Sequence, residues 1–200
     1  MAKANVYIDE GYLTKISKYF GQGKYIQIDL HQFGITMSKR AGYWCEQTYY
    51  YTAPPFQGYP PTMEESRSKA GYDRFLMHCK KLPNFIVREG RLQKTDNGFT
   101  QKGVNTLLTM DLMELVKSKT EVKTAIVLTS DTDFVPVLNK LRNEDKITVV
   151  LYYFNDFIRG SIFSMLNYLL TACDKSLLLS RGDFERSVFI PNKHRQAELL

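Results

Sequence analysis

The sequence predicts an α/β fold with a mostly parallel central sheet, and three observations predict it. Short apolar runs alternate with segments of helical periodicity along most of the 200 residues. One run, Ala125 to Leu128, passes through Thr129 and Ser130 into a segment with Phe134, Val137, Leu138 and Leu141 at helical spacing, which reads as buried strand, polar turn and amphipathic helix. Acidic or amide side chains recur where strands end or helices begin, at Asp9, Asn105, Asp131 and Asp133. In open α/β sheets ligands bind beyond the carboxyl ends of the strands, so these residues stand where such a fold keeps its chemistry. We expect one domain over residues 1–180 and a polar tail over 181–200, with Phe184 and Val188 to Ile190 as residues that could dock it.

The first element is the β-branched and aromatic run Val6-Tyr-Ile8, ended by Asp9. Leu13, Ile16, Tyr19 and Phe20 then repeat at helical spacing until Gly21 and Gly23. Leu30, Phe33 and Met37 suggest a second helix, and the aromatic stretch Tyr43 to Tyr51 is a strand. Thr52 to Pro61 carries four prolines, so it is an irregular connection. Its Phe56 and Tyr59 suit packing of the loop or stacking on exposed bases. Tyr72, Phe75, Leu76, Cys79 and Leu82 mark a helix that Pro83 ends, Phe85 to Arg91 a strand, and Asp96-Asn-Gly98 a turn. A helix follows Lys102 and Gly103, with Asn105 in its first turn. Asp111, six residues on, lies about 120° around it from Asn105. After the central strand-turn-helix come a buried strand, Ile147 to Tyr153, a helix through Ile162, Met165, Leu166, Leu169 and Leu170, and a last short strand, Ser176 to Leu179.

Lys and Arg total 27 against 21 acidic residues, a net charge of +6, which is compatible with a polyanionic partner without requiring one. The distribution is more informative. Between Ser66 and Val104 nine basic residues (Arg67, Lys69, Arg74, Lys80, Lys81, Arg88, Arg91, Lys94 and Lys102) face three acidic ones, a pattern that suits a solvated face or a phosphate-binding surface. Cys45, Cys79 and Cys173 are odd in number and widely spaced, and the three histidines are isolated, which argues against a disulfide framework or a structural zinc site. No apolar run approaches the ~20 residues of a membrane helix. The expectation is a soluble, cytoplasmic chain with no membrane partner.

A carboxylate beside a helix start often serves only as its cap. Two at one strand end repel each other unless a cation or a proton offsets the repulsion. Hydrolysis of a phosphodiester by metal-activated water calls for such an oxygen-rich cluster, because Mg²⁺ and Mn²⁺ prefer hard ligands. Lys102 is the neighbouring cation that could hold the phosphate.

At these residues the chain resembles a known family. Ile8-Asp-Glu-Gly-Tyr-Leu13, Tyr50 to Phe56, Gln101-Lys-Gly-Val-Asn105 with Met110-Asp-Leu112, and Thr129-Ser-Asp-Thr-Asp-Phe134 look like the NYN domain of LabA-like proteins, within the PIN-nuclease superfamily, over roughly Val6 to Leu179. The resemblance implies a PIN-like α/β/α sandwich and a metal-dependent ribonuclease site with Mg²⁺ or Mn²⁺ as cofactor. Asp9 would be the first-strand carboxylate, Asp131 and Asp133 the metal-side pair, and Asp111 a further acid of the metal set. Asn105 stands where the family pattern has Asp; its amide can contact a metal but brings no charge and cannot act as a base. Ser130 replaces a glycine, and Tyr12 stands where many members carry Asn; both remain candidates for substrate contact.

The leading expectation is thus a hydrolase of RNA, single-stranded by preference, with Asp9, Asn105, Asp131 and Asp133 as catalytic residues. Tyr12, Lys102, Ser130, Arg67, Arg74, Lys80, Lys81, Arg88 and Arg91 would bind substrate, and a second copy of the chain is a further candidate partner. The alternative is a catalytically weak RNA-binding module, motivated by Asn105 and the basic stretch. A phosphatase-like site with an Asp nucleophile is disfavoured, because Asp9-Glu10-Gly11 lacks a second Asp two residues on.

Overall fold

The computed structural model describes residues 1–96, 98–118, 120–156 and 167–189. Six strands, β1 (Lys3–Asp9), β2 (Trp44–Thr52), β3 (Phe85–Glu89), β6 (Thr124–Leu128), β7 (Thr148–Tyr153) and β8 (Lys175–Leu178), form one sheet in the order β3-β2-β1-β6-β7-β8. Every pairing in it is parallel. Strand order runs outward from β1 in both directions, so the sheet reverses between β1 and β6, and that reversal opens a crevice beyond their carboxyl ends.

Seven helices cover the sheet among the described residues: α1 (Glu10–Phe20), α2 (Leu30–Ala41), α3 (Met63–Cys79), α4 (Val104–Lys117), α5 (Val135–Asn143), α6 (Asn167–Thr171) and α7 (Arg181–Glu185). Right-handed crossovers put α1 to α3 on one face and α4 to α6 on the other. Adjacent residues of β2 show the division: the Tyr50 ring packs against Phe75 of α3, whereas the Tyr51 hydroxyl donates to Asp111 of α4 at 2.9 Å. Coverage on both faces is why the central strands read as continuous apolar runs. Ala4, Val6, Tyr7 and Ile8 of β1, and Ala125 to Leu128 of β6, are fully buried.

The helix ends follow local chemistry. Asp29 caps α2 by accepting from Gln32 N, and Gly42 closes it with a left-handed φ of 97°. Thr62 and Glu65 form a reciprocal capping box at the start of α3, which therefore begins well before the apolar positions that announce it in sequence. Of the helix expected around Ile162 to Leu170, α6 is the described part; residues 157–166 lie outside the described residues.

One element departs from the expected order. The sequence suggests a strand through Arg91 and then a turn leading to a helix, but β3 stops at Glu89 and the chain forms a separate antiparallel hairpin, β4 (Arg91–Thr95) and β5 (Gly98–Lys102). The hairpin folds back tightly at Gly90, where a β-carbon would lie 2.5 Å from Lys102 O and 2.7 Å from a Val104 methyl. Only glycine fits there. Its strands are polar because they lie outside the main sheet.

The segment after 180 docks on the body through α7. Phe184 is fully buried against Phe20 and Phe33, and Val188 bridges to Ile28. Asp183 is buried as well, and its carboxylate accepts from Arg40 at 2.5 Å, Arg186 at 2.7 Å, and both the N–H and the hydroxyl of Ser180 at 2.8 Å.

Candidate active site

The crevice at the strand reversal is a cleft of about 320 Å³ lined by Asp9, Gly11, Tyr12, Lys15, Gln101, Asn105, Ser130 and Asp131. Its floor is a hydrogen-bonded chain across four elements. Asp9, the last residue of β1, caps α1: its Oδ1 accepts from Gly11 N at 2.9 Å and from Tyr12 N at 3.4 Å. Its Oδ2 accepts from the Thr129 hydroxyl at 3.2 Å, and the same hydroxyl oxygen accepts from Asp131 N at 3.2 Å. Asp131 Oδ2 accepts from the Asn105 amide at 2.5 Å. Thr129 and Asp131 follow β6 and Asn105 opens α4, so the sheet order brings Asp9 together with residues far from it in the chain.

Burial raises the pKa of Asp9 above the usual carboxylate range. The N–H of Tyr12, the Thr129 hydroxyl and the N–H of Gly11 pull it down, while the neighbouring Glu10 charge pushes it further up. A cation in the cleft would favour the ionised form. The groups that face the cleft meet that requirement with oxygen donors: the Asp9 and Asp131 carboxylates, the Asn105 amide oxygen and the Ser130 hydroxyl. Hard donors of this kind fit Mg²⁺ or Mn²⁺, with solvent completing the coordination, and they do not fit a thiophilic ion.

Several expected site residues stand elsewhere. Asp133 is exposed and outside the cleft wall; its N–H donates to Asp131 Oδ1 at 2.9 Å, capping the short 3-10 turn Thr132–Phe134. The i, i+2 spacing of the two acids thus builds a turn in which the first is the cap and the second points away. Asp111 lies among a different set of residues, with Arg88 gripping it through two bonds of 2.8 and 2.9 Å and Tyr51 donating a third. It is an ion-pair partner on α4, and it occupies Arg88 as well. Tyr12 lines the cleft, but its hydroxyl oxygen accepts from Phe154 N at 2.9 Å, fixing the end of β7 against α1; burial pushes its pKa up to about 12.

Lys102 and Arg91 are opposite each other on the hairpin and line a neighbouring open groove with Glu89, Gly103 and Thr106. Arg67, Arg74, Lys80 and Lys81 are exposed on and just after α3, outside both walls. The residues the sequence did not single out are Lys15 and Gln101. Lys15 follows Gly11 by four residues, one helical turn, which is the signal that could have found it. Gln101 bonds Glu10 at 3.3 Å and brings the hairpin to the cleft.

Comparison with protein families matches residues 3–179 to the NYN domain. The chain belongs to the NYN domain family. That family lies within the PIN-like nuclease superfamily, which carries nuclease-like activity on RNA and generally uses divalent metals. Among solved structures, the NYN chain is similar to a protein of unknown function from Vibrio parahaemolyticus, with a TM-score of 0.57 and 13% identity over 94% of this chain and 96% of that one, a likeness of fold. No curated protein gives a significant match. Among the described residues, no helix is long and apolar enough to cross a membrane.

Proposed function

We propose that this NYN domain is a ribonuclease dependent on Mg²⁺ or Mn²⁺, with its site in the cleft between the ends of β1 and β6. The observation that carries the reading is the convergence of Asp9, Asp131 and Asn105 on one cleft at the reversal of the sheet, joined through Thr129. Asp9 and Asp131 would hold the ion, and the amide oxygen of Asn105 would add a neutral ligand. The bound ion supplies Lewis acidity toward water and a phosphate oxygen. Lys15 faces the same cleft and offsets phosphate charge, and Gln101 presents a further amide to the substrate. Thr129 keeps the two carboxylates in fixed register by donating to one and accepting from the backbone of the other.

Asn105 decides how active this arrangement is. Its amide donates to Asp131, so in this geometry it positions a carboxylate and supplies no charge of its own. That bond favours a second reading, a weakly catalytic RNA binder. Asn105→Asp discriminates between them. The added charge should tighten Mn²⁺ binding and raise cleavage of single-stranded RNA about tenfold or more, while in chelator it should lower the melting temperature, because a third carboxylate then repels Asp131. A variant indistinguishable from the parent in cleavage and in metal-dependent melting would remove Asn105 from the site.

Among the basic residues outside the cleft wall, those of the neighbouring groove should matter most for affinity. Reversing both Arg91 and Lys102 to Glu is expected to weaken RNA binding and to reduce the slope of log affinity against log salt by about 0.7 for each phosphate no longer neutralised. Reversing Lys80 and Lys81, which lie outside the cleft and groove walls, should change both less. Fluorescence anisotropy across a salt series measures the difference, and equal effects from the two pairs would contradict this ranking.

A further inference from the structure

Alternation along the hairpin sorts its side chains into two rows. The cross-strand partners Leu92 with Gln101 and Lys94 with Phe99 share one face, and Arg91 with Lys102 the other. Gln101 forms part of the cleft wall and bonds Glu10 at the start of α1, so the row that carries Phe99 and Lys94 is the one turned toward the site. Phe99 stands two residues from Gln101, about 6.8 Å along the strand, a span an extended nucleotide bridges.

Phe99 is 56% exposed. A phenyl ring held in water beside the cleft is costly unless something covers it, and the surroundings are built to hold it in place. Phe56 of the proline-rich loop braces it, with ring centroids 5.2 Å apart and planes inclined by 41°. The loop is itself pinned, because Glu65 accepts from Gly58 N at 3.2 Å and from Thr62 N at 2.8 Å. Lys94 lies across from Phe99 on the same face, whereas Arg91 and Lys102 lie on the other. An aromatic surface beside a cation suits a nucleobase with its attached phosphate better than it suits an apolar partner.

We propose that Phe99, braced by Phe56 and flanked by Lys94, is a base-stacking subsite for the nucleotide next to the phosphate bound in the Asp9 and Asp131 cleft. A base offers its π face only when it is unstacked, so the subsite selects single-stranded RNA over duplex. The subsite rests on the reading of the cleft as an RNA-cleaving site, and its test separates the two.

Phe99→Ala and Phe99→Trp are compared with the parent by anisotropy, using a short labelled single-stranded RNA and the same RNA annealed to its complement, in chelator so that binding is read without cleavage. Phe99→Ala should bind the single strand roughly tenfold more weakly, the effect of removing one stacked base, and leave duplex binding unchanged. Phe99→Trp should keep the affinity, and in a Trp44→Phe background, which removes the one native tryptophan, its fluorescence should be quenched by the single strand and not by the duplex. Parent-like single-strand affinity in Phe99→Ala, or equal losses on both RNAs, overturns the subsite while leaving the cleft reading in place. A parent chain that neither binds nor cuts RNA overturns both.

Discussion

Asp9→Asn should cut RNA on the order of 10²- to 10³-fold more slowly than the parent and yet melt at a higher temperature in metal-free buffer at neutral pH. The loss follows from removing one of the two carboxylates that face the cleft, a cost comparable to deleting a preorganised group aimed at developing charge. The gain follows from the raised pKa. Burial disfavours the Asp9 carboxylate, so the folded state binds its proton more tightly than the unfolded chain, and stability falls as pH rises from the unfolded value through the folded one. Asparagine removes that penalty and keeps the cap, since Asn and Asp serve about equally well there. Cleavage assays with Mn²⁺ and melting curves across pH in chelator measure the two effects separately. A variant that melts below the parent at neutral pH, or one that cuts RNA as fast, would contradict this account of Asp9.

The largest stability effect is expected at Asp183. Its carboxylate is 1% exposed. Burial alone would raise its pKa, but the N–H and hydroxyl of Ser180 with the Arg40 and Arg186 guanidinium groups outweigh it and hold the pKa below the usual range. Asp183→Ala removes charged hydrogen bonds and one half of the capping box of α7. The expected loss is about 3 kcal/mol, or roughly 6–12 °C in melting temperature. The sign of the pH dependence is opposite to that of Asp9. A depressed folded pKa contributes stability that is present above the unfolded value, near 4, and lost as pH falls through the folded one. Melting of parent and variant should therefore converge in acid, and parallel curves down to acid pH would show that the ionised carboxylate is not what stabilises α7.

Much of this was legible in the chain. Strands buried on both faces announce themselves as apolar runs, which is why β1, β6 and β7 and their order with α1 and α5 could be read directly. The hairpin could not, because Arg91, Gln93, Lys94 and Thr95 form a strand without a core to face, and no alternation of apolar residues marks it. Asp9 and Asp131 were readable as carboxylates at strand ends. Asp133 shows what the pattern does not convey: two acids one residue apart suggest a pair of ligands, while the fold makes the first a cap that accepts the backbone N–H of the second and leaves the second exposed. For Asp111, helical rotation already placed it away from Asn105; what the sequence could not supply was its partnership with Arg88 and Tyr51, which depends on how β2 and β3 lie against α4.

The parallel sheet also sets when the cleft comes into being. β1 precedes β6 in the chain and pairs beside it, yet Asp9 and Thr129 are 120 residues apart. No neighbouring strands of the main sheet are joined by a short hairpin, so the sheet is built from non-local contacts that form late and slowly. During synthesis the emerging chain carries Asp9 long before Thr129 and Asp131 leave the ribosome. A nascent or truncated chain that ends before β6 lacks Thr129 and Asp131 and cannot close the cleft around Asp9.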